Sequence, residues 1–264
     1  MLLALDIGNS TIVAALFDSE KKLAETIAPS AVQRSREEAW DIIQSLIRQT
    51  NDPARGIRGV GISSVVPFLT QLFSSLTKEK VGIEPLVVSA ALDLGINIHY
   101  DGPTMLGSDR ISSAVAAFAK YGRRLDSASE PLIVVDFGTA TTYGVVGANG
   151  DFLGGVISLG VKSTAEALYR RAAQLPSFEI QMPEKAIATN TLDAMQAGIM
   201  FSTVDAVEGM VKRIRKELGV EAKVIATGGL STMMSKQTTT FDAVEPDLVL
   251  EGVRLIHERL SPRL

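Results

Sequence analysis

The chain has 264 residues, a hydrophobic content of 46% and a formal net charge of −4. This length favours about two domains, and the net negative charge argues against a nucleic-acid-binding surface. With no cysteine and only two histidines, the sequence offers no disulfide, no thiolate metal site and no histidine-rich metal site. No apolar stretch approaches the roughly 20 residues that span a bilayer, so we expect a soluble cytoplasmic protein without a membrane partner.

The first predicted element is a β-hairpin at Leu2–Asp18, which begins LLALDIGNST. An apolar run leads into Asp6 and Gly8, small polar residues follow, and a second apolar run returns. The first run lacks a basic flank, so we expect a core strand and not a signal peptide. A turn of this kind presents backbone N–H groups to a phosphate, and glycine leaves the approach open.

Helices and strands alternate after this hairpin. Apolar spacing predicts a helix at Arg36–Gln49, a strand at Ile57–Val66 and a short helix at Leu69–Leu76. The segment Leu94–Gly107 is rich in Gly, Asn and Asp, which indicates a functional loop and not a packed element. A further helix is predicted to begin at Ser108.

The hairpin pattern occurs a second time at Leu132–Val146, which begins LIVVDFGTATT. Asp136 and Gly138 take the places of Asp6 and Gly8. A plain turn would also explain one Asp-x-Gly, since both residues are common in turns. Two copies with matched flanking strands favour a duplicated phosphate hairpin instead.

The later elements complete a mixed α/β chain that is built twice. We predict a long helix at Thr191–Leu218, a strand at Lys223–Thr227 and a last helix at Pro246–Leu260. The polar stretch between the two hairpins predicts two lobes, residues 1–124 and residues 125–264. Two such lobes facing each other across a central cleft are typical of a nucleotide-driven phosphotransferase.

The aspartates that open the two hairpins point to a cation. Asp6 and Asp136 do not suit direct contact with phosphate, because like charges repel. They suit Mg²⁺ held through water, or a monovalent ion.

The carboxylate that best suits a general base is Asp109, in the sequence LGSDR. It follows the glycine-rich loop and lies in the first turn of the predicted helix, where the helix dipole favours the ionised form. Arg110 beside it suits paired hydrogen bonds to a substrate carboxylate. The sequence is equally compatible with Asp109 as a helix cap and Arg110 as a solvated side chain.

Several segments, taken in order, resemble the type III pantothenate kinases. They are LDIGNST, GISSVVP, Tyr100 with LGSDR, VVDFGTATT, LGGVIS-x-G, NTLDAMQAGI and VIATGGLS, and they span Leu3 to about Gly252. The resemblance implies the duplicated ribonuclease-H-like fold of acetate and sugar kinases, Hsc70 and actin. It also implies a homodimer that phosphorylates the primary hydroxyl of pantothenate with ATP, the first step of coenzyme A synthesis. Mg²⁺ and a monovalent cation, K⁺ or NH₄⁺, are implied with it.

The resemblance also implies roles for single residues. Asp109 is implied as the general base, and pantothenate is implied to contact Tyr100, Gly107, Ser108, Asp109, Arg110 and Thr191. The first ATP phosphate loop is implied at Asp6, Ile7, Gly8, Asn9, Ser10, Thr11, Ile12 and Val13. Thr139 is implied to contact an ATP phosphate, and Asp136 to hold the monovalent ion.

Three positions depart from the pattern of that family. Ser108 stands where alanine is usual, Gly144 where aspartate is usual, and Leu159 where proline is usual. Gly144 removes a carboxylate close to the second hairpin, which puts the cation dependence in doubt. No residue assigned to the base, the substrate or the phosphate loops is lost, so we expect an active enzyme.

Two other classes of function stay open. Another kinase or a nucleotide phosphatase would share the superfold, and fold alone does not separate them. A phosphatase would hydrolyse nucleotide without an acceptor. A non-catalytic regulatory paralogue is the other alternative, and measurable turnover would exclude it.

Overall fold

The computed structural model describes residues 1–31, 33–50, 56–122, 129–171 and 179–261. The chain divides into two compact units. The first is Met1–Lys120, Gly150–Phe152 and Asp247–Leu264, and the second is Tyr121–Asn149 and Leu153–Pro246. The predicted lobe boundary at residues 124 and 125 lies outside the described residues.

The described residues contain strands and helices in alternation. The strands are β1 (Leu2–Ile7), β2 (Thr11–Asp18), β3 (Lys21–Pro29), β4 (Gly59–Ser64), β5 (Leu86–Val87), β6 (Asn97–Ile98), β7 (Leu132–Phe137), β8 (Ala140–Val146), β9 (Asp151–Leu159), β10 (Lys223–Thr227) and β11 (Ala243–Val244). The α-helices are α1 (Arg36–Gln49), α2 (Pro67–Leu76), α3 (Ser108–Ala117), α4 (Val161–Arg171), α5 (Thr191–Leu218), α6 (Ser231–Met234) and α7 (Leu248–Leu260).

The first unit is built on a five-stranded sheet with the order β3-β2-β1-β4-β5. β1 pairs antiparallel with β2 and parallel with β4, which confirms the predicted hairpin at Leu2–Asp18. Leu3, Leu5, Ile12 and Leu16 are fully buried in a core that α1 and α2 also line.

The N-terminal cap of helix α1 explains why the helix begins where it was predicted to begin. The Ser35 hydroxyl accepts a hydrogen bond from the Glu38 N–H, and the Glu38 carboxylate accepts one from the Ser35 N–H. This reciprocal capping box satisfies backbone donors that the first helical turn leaves open. Behind it, apolar residues at helical spacing are buried against the sheet, namely Ala39, Ile42, Ile43 and Leu46.

Helix α7 belongs to the first unit, whereas the predicted division placed it in the second lobe. It packs against α3, and Gly252 is the reason for the close approach. A Cβ atom at residue 252 would lie 2.7 Å from the Ser112 Cα atom, where no real Cβ is found. Gly59 and Gly61 of β4 make similar room for the His257 and Val253 side chains of α7. Such backbone proximity is a tertiary feature that the linear order of elements does not reveal.

The second unit contains the strands β11-β10-β7-β8-β9 in that order. β7 pairs antiparallel with β8, which confirms the second predicted hairpin, and β10 runs parallel to β7. The six-stranded sheet also includes β6, which pairs with Asp151 and Phe152, the β9 residues that belong to the first unit.

Helix α5 has 28 residues and matches its predicted bounds. The Asn190 side chain caps it by accepting a hydrogen bond from the Asp193 N–H at 3.0 Å. It ends at Gly219, whose φ of 70° is the left-handed conformation that commonly stops helices. Its buried side chains recur at helical spacing and include Val204, Val207, Val211 and Ile214.

The segment Leu94–Gly107 contains more packed structure than predicted. Asn97 and Ile98 form β6, and Pro103–Met105 form a 3₁₀ turn. Asn97 also donates a side-chain hydrogen bond to the Asp151 carboxylate at 2.8 Å. The rest of the segment is loop, as predicted, and the short strand was not predicted because its pairing depends on β9, more than 50 residues away in the chain.

The ends of the two hairpins repeat one arrangement. Asp6 of β1 lies beside Ser63 of the parallel strand β4, and Asp136 of β7 lies beside Thr227 of the parallel strand β10. Ser63 and Thr227 are both buried. The same hairpin with the same parallel neighbour therefore occurs in each unit, which confirms the duplicated α/β fold.

Candidate functional site

The first hairpin ends in a tight turn that is anchored in the core. The Gly8 N–H donates to the Thr11 carbonyl oxygen at 2.9 Å and closes the turn. Ile7 and Ile12 on either side are fully buried, while Asp6 and Val13 are half-buried. The residues exposed at the tip are Asn9, Ser10 and Thr11.

Ser30 fixes this turn from the end of β3. Its hydroxyl donates to the Gly8 carbonyl oxygen at 2.5 Å, and its N–H donates to the Ser10 carbonyl oxygen at 2.9 Å. Sequence reasoning missed Ser30, because its role depends on how β3 pairs with β2.

The second hairpin turn is held from the start of α4. The Gly138 N–H donates to the Ala140 carbonyl oxygen at 3.1 Å and closes the turn. The Gly160 N–H and the Ser163 hydroxyl both donate to the Thr139 carbonyl oxygen, at 3.1 and 2.8 Å. Thr139 itself is exposed at the tip. The turn that carries it is therefore tied to the helix that follows β9.

Asp136 lies beside Gly228, at the end of β10. A Cβ atom at residue 228 would overlap the Asp136 Oδ1 atom and would lie 2.8 Å from the Phe137 backbone nitrogen. Gly228 also has a φ of 86°, which residues with a side chain rarely adopt. Only glycine leaves the Asp136 carboxylate in its present place.

Asp109 is the second residue of α3, and Gly107 is the N-cap residue. Asp109 is therefore not the N-cap residue, but its side chain bonds an N–H group of the first helical turn, so the helix-capping alternative stays open beside the general-base role. Its Oδ1 atom accepts a hydrogen bond from the Arg110 N–H at 2.8 Å. A Cβ atom at residue 107 would overlap that same oxygen, so the half-buried carboxylate lies over the bare glycine.

Arg110 is 7% exposed, so the alternative of a solvated side chain is wrong. Its guanidinium carbon lies 5.7 Å from the centre of the Tyr100 ring and 5.5 Å from that of Phe152. The buried Nε and Nη2 atoms find no hydrogen-bond partner among the described residues. A buried cation with open donors is costly, and an anionic ligand would relieve that cost.

The other predicted site residues fall in separate places. Ser108 is buried and its hydroxyl bonds to the end of β4. Tyr100 joins Arg110 in the first unit. Thr191 is the exposed first residue of α5 and belongs, with Asp136 and Thr139, to the second unit.

A cavity of about 440 Å³ lies in the second unit, next to α4. Apolar and aromatic side chains form most of its wall, namely Ala165, Tyr169, Ile180 and Leu230, and Lys162, Glu166 and Glu179 complete it. Two of its lining elements follow residues that contact the second hairpin. Leu230 follows the turn that contacts Asp136, and α4 begins directly after Gly160.

Further findings concern the ionisation of one buried tyrosine and the residues that could hold a metal ion. Burial raises the pKa of the Tyr143 phenol, which lies in β8 of the second hairpin, from its ordinary value near 10 to about 12. Across the described ranges, no group of three or more His, Cys, Asp and Glu side chains could hold a metal ion. Within those same ranges, no helix combines the length and apolar character that a membrane crossing requires.

The paired hairpins and their parallel neighbours define the fold of the acetate and sugar kinase, Hsc70 and actin class. A solved structure described as an N-acetylmannosamine kinase from Listeria monocytogenes is similar, with a TM-score of 0.55 over 98% of each chain and 11% identity. A solved structure described as a Baf family transcriptional activator from Campylobacter jejuni gives a TM-score of 0.57 over 97% of this chain and 98% of its own, with 18% identity. At these identities the similarity shows the fold alone.

Sequence comparison defines the family. A family model described as type III pantothenate kinase matches residues 2–213. A protein named type III pantothenate kinase from Thermomicrobium roseum is 40% identical over 264 residues, which is 100% of this chain and 99% of its own. The chain belongs to the type III pantothenate kinase family.

Proposed function

We propose that this chain transfers the terminal phosphoryl group of ATP to the primary hydroxyl of pantothenate. The product is 4′-phosphopantothenate, and the reaction is the first step of coenzyme A synthesis. Family membership over the whole chain supports this proposal. The observation that carries it is the pairing of a half-buried carboxylate, Asp109, with a buried guanidinium, Arg110, that has open donors.

Arg110 anchors the acid end of the substrate. Pantothenate carries a carboxylate, and guanidinium donors match a carboxylate in charge and in planar geometry. The Nε and Nη2 atoms of Arg110 are the donors without a described protein partner. The Tyr100 ring lies beside the guanidinium, and in this proposal it orients the substrate amide.

Asp109 is the general base in this proposal. The attacking hydroxyl must lose its proton as the new O–P bond forms, and a carboxylate within hydrogen-bond reach can accept it. Base and anchor are consecutive residues in the first turn of α3, so one short segment would supply both groups. Gly107 contributes by leaving space beside the Asp109 carboxylate.

In this proposal, each hairpin tip is by itself a phosphate-binding element for ATP. Phosphate oxygens need several N–H and O–H donors in a fixed place, so that charge developing during transfer is stabilised without rearrangement. Asn9, Ser10 and Thr11 of the first tip and Thr139 of the second are exposed and carry such donors. The rest of the first phosphate loop, from Asp6 to Val13, supplies the rigid strands around them.

The proposal assigns cations to two carboxylates, Asp136 and Asp6. Asp136 is assigned to a monovalent ion, K⁺ or NH₄⁺, as the family resemblance implies, and the missing side chain of Gly228 lets its Oδ1 atom lie close against the end of β10. Bound Mg²⁺ would supply charge neutralisation between the ATP phosphates, and the carboxylate of Asp6 suits a place near it. Gly144, where the family resemblance implies aspartate, lies inside β8.

The cavity beside α4 suits the nucleoside part of ATP. Its wall carries the flat Tyr169 ring with Ile180 and Leu230, which suits an aromatic base. Its lining includes Lys162, two residues after Gly160, which bonds to the Thr139 carbonyl oxygen, and Leu230, two residues after Gly228, which contacts Asp136.

We also propose a homodimer in the cytoplasm, with Thr191 contributing to pantothenate binding. Leu153, Ile157 and Leu159 alternate along β9, so they share one face, and they are 47%, 61% and 59% exposed. An apolar face of this kind is costly in water, and a second copy of the chain would cover it.

The proposal is tested by ADP release with pantothenate present or absent, each with and without K⁺. We expect release that needs both, and a loss of at least 100-fold in kcat for Asp109→Asn, because general-base catalysis contributes about 10²–10⁴-fold. Asp41→Asn is the matched control, since Asp41 is exposed on α1 of the same unit. ADP release indifferent to pantothenate would support a phosphatase, and absence of turnover with binding intact would support a regulatory paralogue.

A further inference from the structure

The hydroxyl of Ser108 is fully engaged by the end of β4. It accepts a hydrogen bond from the Ser64 N–H at 2.6 Å and one from the Ser63 hydroxyl at 3.2 Å. It donates its single proton to the Ser64 carbonyl oxygen at 2.9 Å. A serine hydroxyl has one proton and two lone pairs, so no capacity remains for a ligand. Any contact of Ser108 with a substrate would have to use its backbone.

The end of β4 that Ser108 contacts is itself bonded to the first phosphate hairpin. Ser63 and Ser64 lie beside Asp6 and Ile7 in the parallel pairing of β4 with β1. The Val65 N–H donates to the Ile7 carbonyl oxygen at 3.1 Å. The backbone that receives the Ser108 hydroxyl is thus bonded to the strand end from which the hairpin turn begins.

The hydroxyl of Ser64 makes further hydrogen bonds that hold the end of β4 in place. It accepts hydrogen bonds from the Thr70 hydroxyl at 2.7 Å and from the Val66 N–H at 3.1 Å. These bonds tie the end of β4 to the first turns of α2. The acceptor for Ser108 is therefore a fixed point and not a mobile loop.

We propose that the Ser108 hydroxyl is a positioning group that fixes Asp109 relative to the first phosphate hairpin. The proposal rests on Asp109 acting as the base of the proposed kinase. The start of α3 has no side-chain cap, so the Ser108 bonds hold it in the place of a cap. Because Asp109 is the next residue, a shift at Ser108 moves its carboxylate relative to the phosphates. Displacement by about 1 Å at a reacting group can cost up to about 100-fold in rate.

The test compares Ser108→Ala with Ser112→Ala. Ser112 is on the same helix and fully buried, and its hydroxyl has no partner among the described residues. The two variants lose the same atom, but only one loses the bonds to β4. Ser63→Ala is a milder second variant, because it removes a single bond to Ser108 and leaves the two bonds to Ser64.

We expect Ser108→Ala to lower kcat about tenfold while the KM values for ATP and pantothenate change less than twofold, because both binding surfaces remain. Ser63→Ala should lower kcat less, and its effect should not add to that of Ser108→Ala. Ser112→Ala should leave kcat unchanged. Equal kcat for Ser108→Ala and Ser112→Ala would overturn the proposal, and so would a loss confined to KM.

Hydrogen exchange at the Ser64 amide tests the hydrogen bond between Ser64 and Ser108 independently of enzyme activity. Exchange should accelerate in Ser108→Ala and keep its wild-type rate in Ser112→Ala. An unchanged exchange rate of the Ser64 amide in Ser108→Ala would overturn the proposal, even if the wild-type chain is a fully active kinase. A wild type that makes no phosphopantothenate would refute the proposed function and the positioning role with it, whereas exchange that still accelerates in Ser108→Ala would show that the contact itself exists.

Discussion

Gly252 of α7 lies directly against the backbone of Ser112 in α3, with no room for a side chain between the two helices. Helix α3 carries Asp109 and Arg110 in its first turn. The last helix of the chain therefore sets the position of the helix that bears the proposed base.

Gly252→Ala should destabilise the first unit. The added methyl group has to move one helix, and overpacking of this kind costs about 1–3 kcal/mol. Chemical denaturation of wild type and variant would measure the loss. Gly198→Ala is the control, since Gly198 lies in α5 with open space around it, and it should stabilise by up to about 1 kcal/mol. Equal stability of Gly252→Ala and wild type would contradict the close helix contact.

Gly228→Ala should impair the cation site more than the fold. The new methyl group would occupy the place of the Asp136 Oδ1 atom, and the positive φ adds strain of about 1–2 kcal/mol. We expect the K⁺ concentration for half-maximal activity to rise about tenfold or more, which is at least 1.4 kcal/mol of lost binding.

The control for this substitution is its neighbour. Gly229 has open space around it and no positive φ, so Gly229→Ala should keep the wild-type K⁺ dependence. An identical K⁺ response in both variants would show that Asp136 does not serve the cation.

Arg110→Lys should weaken pantothenate binding although the charge is kept. Lysine lacks the planar fork that pairs with a carboxylate and stacks on the rings of Tyr100 and Phe152. Loss of about 1.5–3 kcal/mol for a charged hydrogen bond corresponds to a roughly 10–150-fold rise in the KM for pantothenate. The KM for ATP should stay unchanged. Arg48→Lys on the exposed side of α1 is the control, and a KM for pantothenate that is unchanged in Arg110→Lys would refute the anchor.

The free energy of unfolding should fall below pH 6.5 because of His257. Burial lowers the pKa of this imidazole in the folded chain, with a smaller opposing effect from Glu258. Between the lowered folded pKa and the ordinary value near 6.5, the unfolded chain binds more protons, so acidification favours unfolding. The stabilisation is complete above pH 6.5 and declines as the pH falls toward the folded pKa.

Denaturation series between about pH 7.5 and 5.5 would show this slope, since most carboxylates stay ionised there. His257→Gln should have a flatter dependence, whatever its absolute stability. The same slope in both proteins would assign the effect to another group.

The sequence was sufficient for features that depend on local pattern. The hairpins at Leu2–Asp18 and Leu132–Val146 follow from apolar runs around Asp-x-Gly, and α5 follows from helical spacing between Asn190 and Gly219. Such signals are contained in a few consecutive residues, so no knowledge of packing is needed to read them.

Features that depend on contacts between residues far apart in the chain could not be predicted from the sequence. The place of α7 depends on Gly252 meeting Ser112, and the order in Leu94–Gly107 depends on β9. The burial of Arg110 needs Phe152, a residue more than 40 positions later. For the same reason, no local pattern identified Ser30 as the group that holds the first turn.

The most direct test is the mass-spectrometric detection of phosphopantothenate formed from pantothenate and ATP by the wild-type chain, alongside a count of ADP. The proposed function predicts one phosphopantothenate for each ADP, with both products lost in Asp109→Asn and retained in Asp41→Asn. ADP formed without phosphopantothenate, or equal product from Asp109→Asn and wild type, would contradict it.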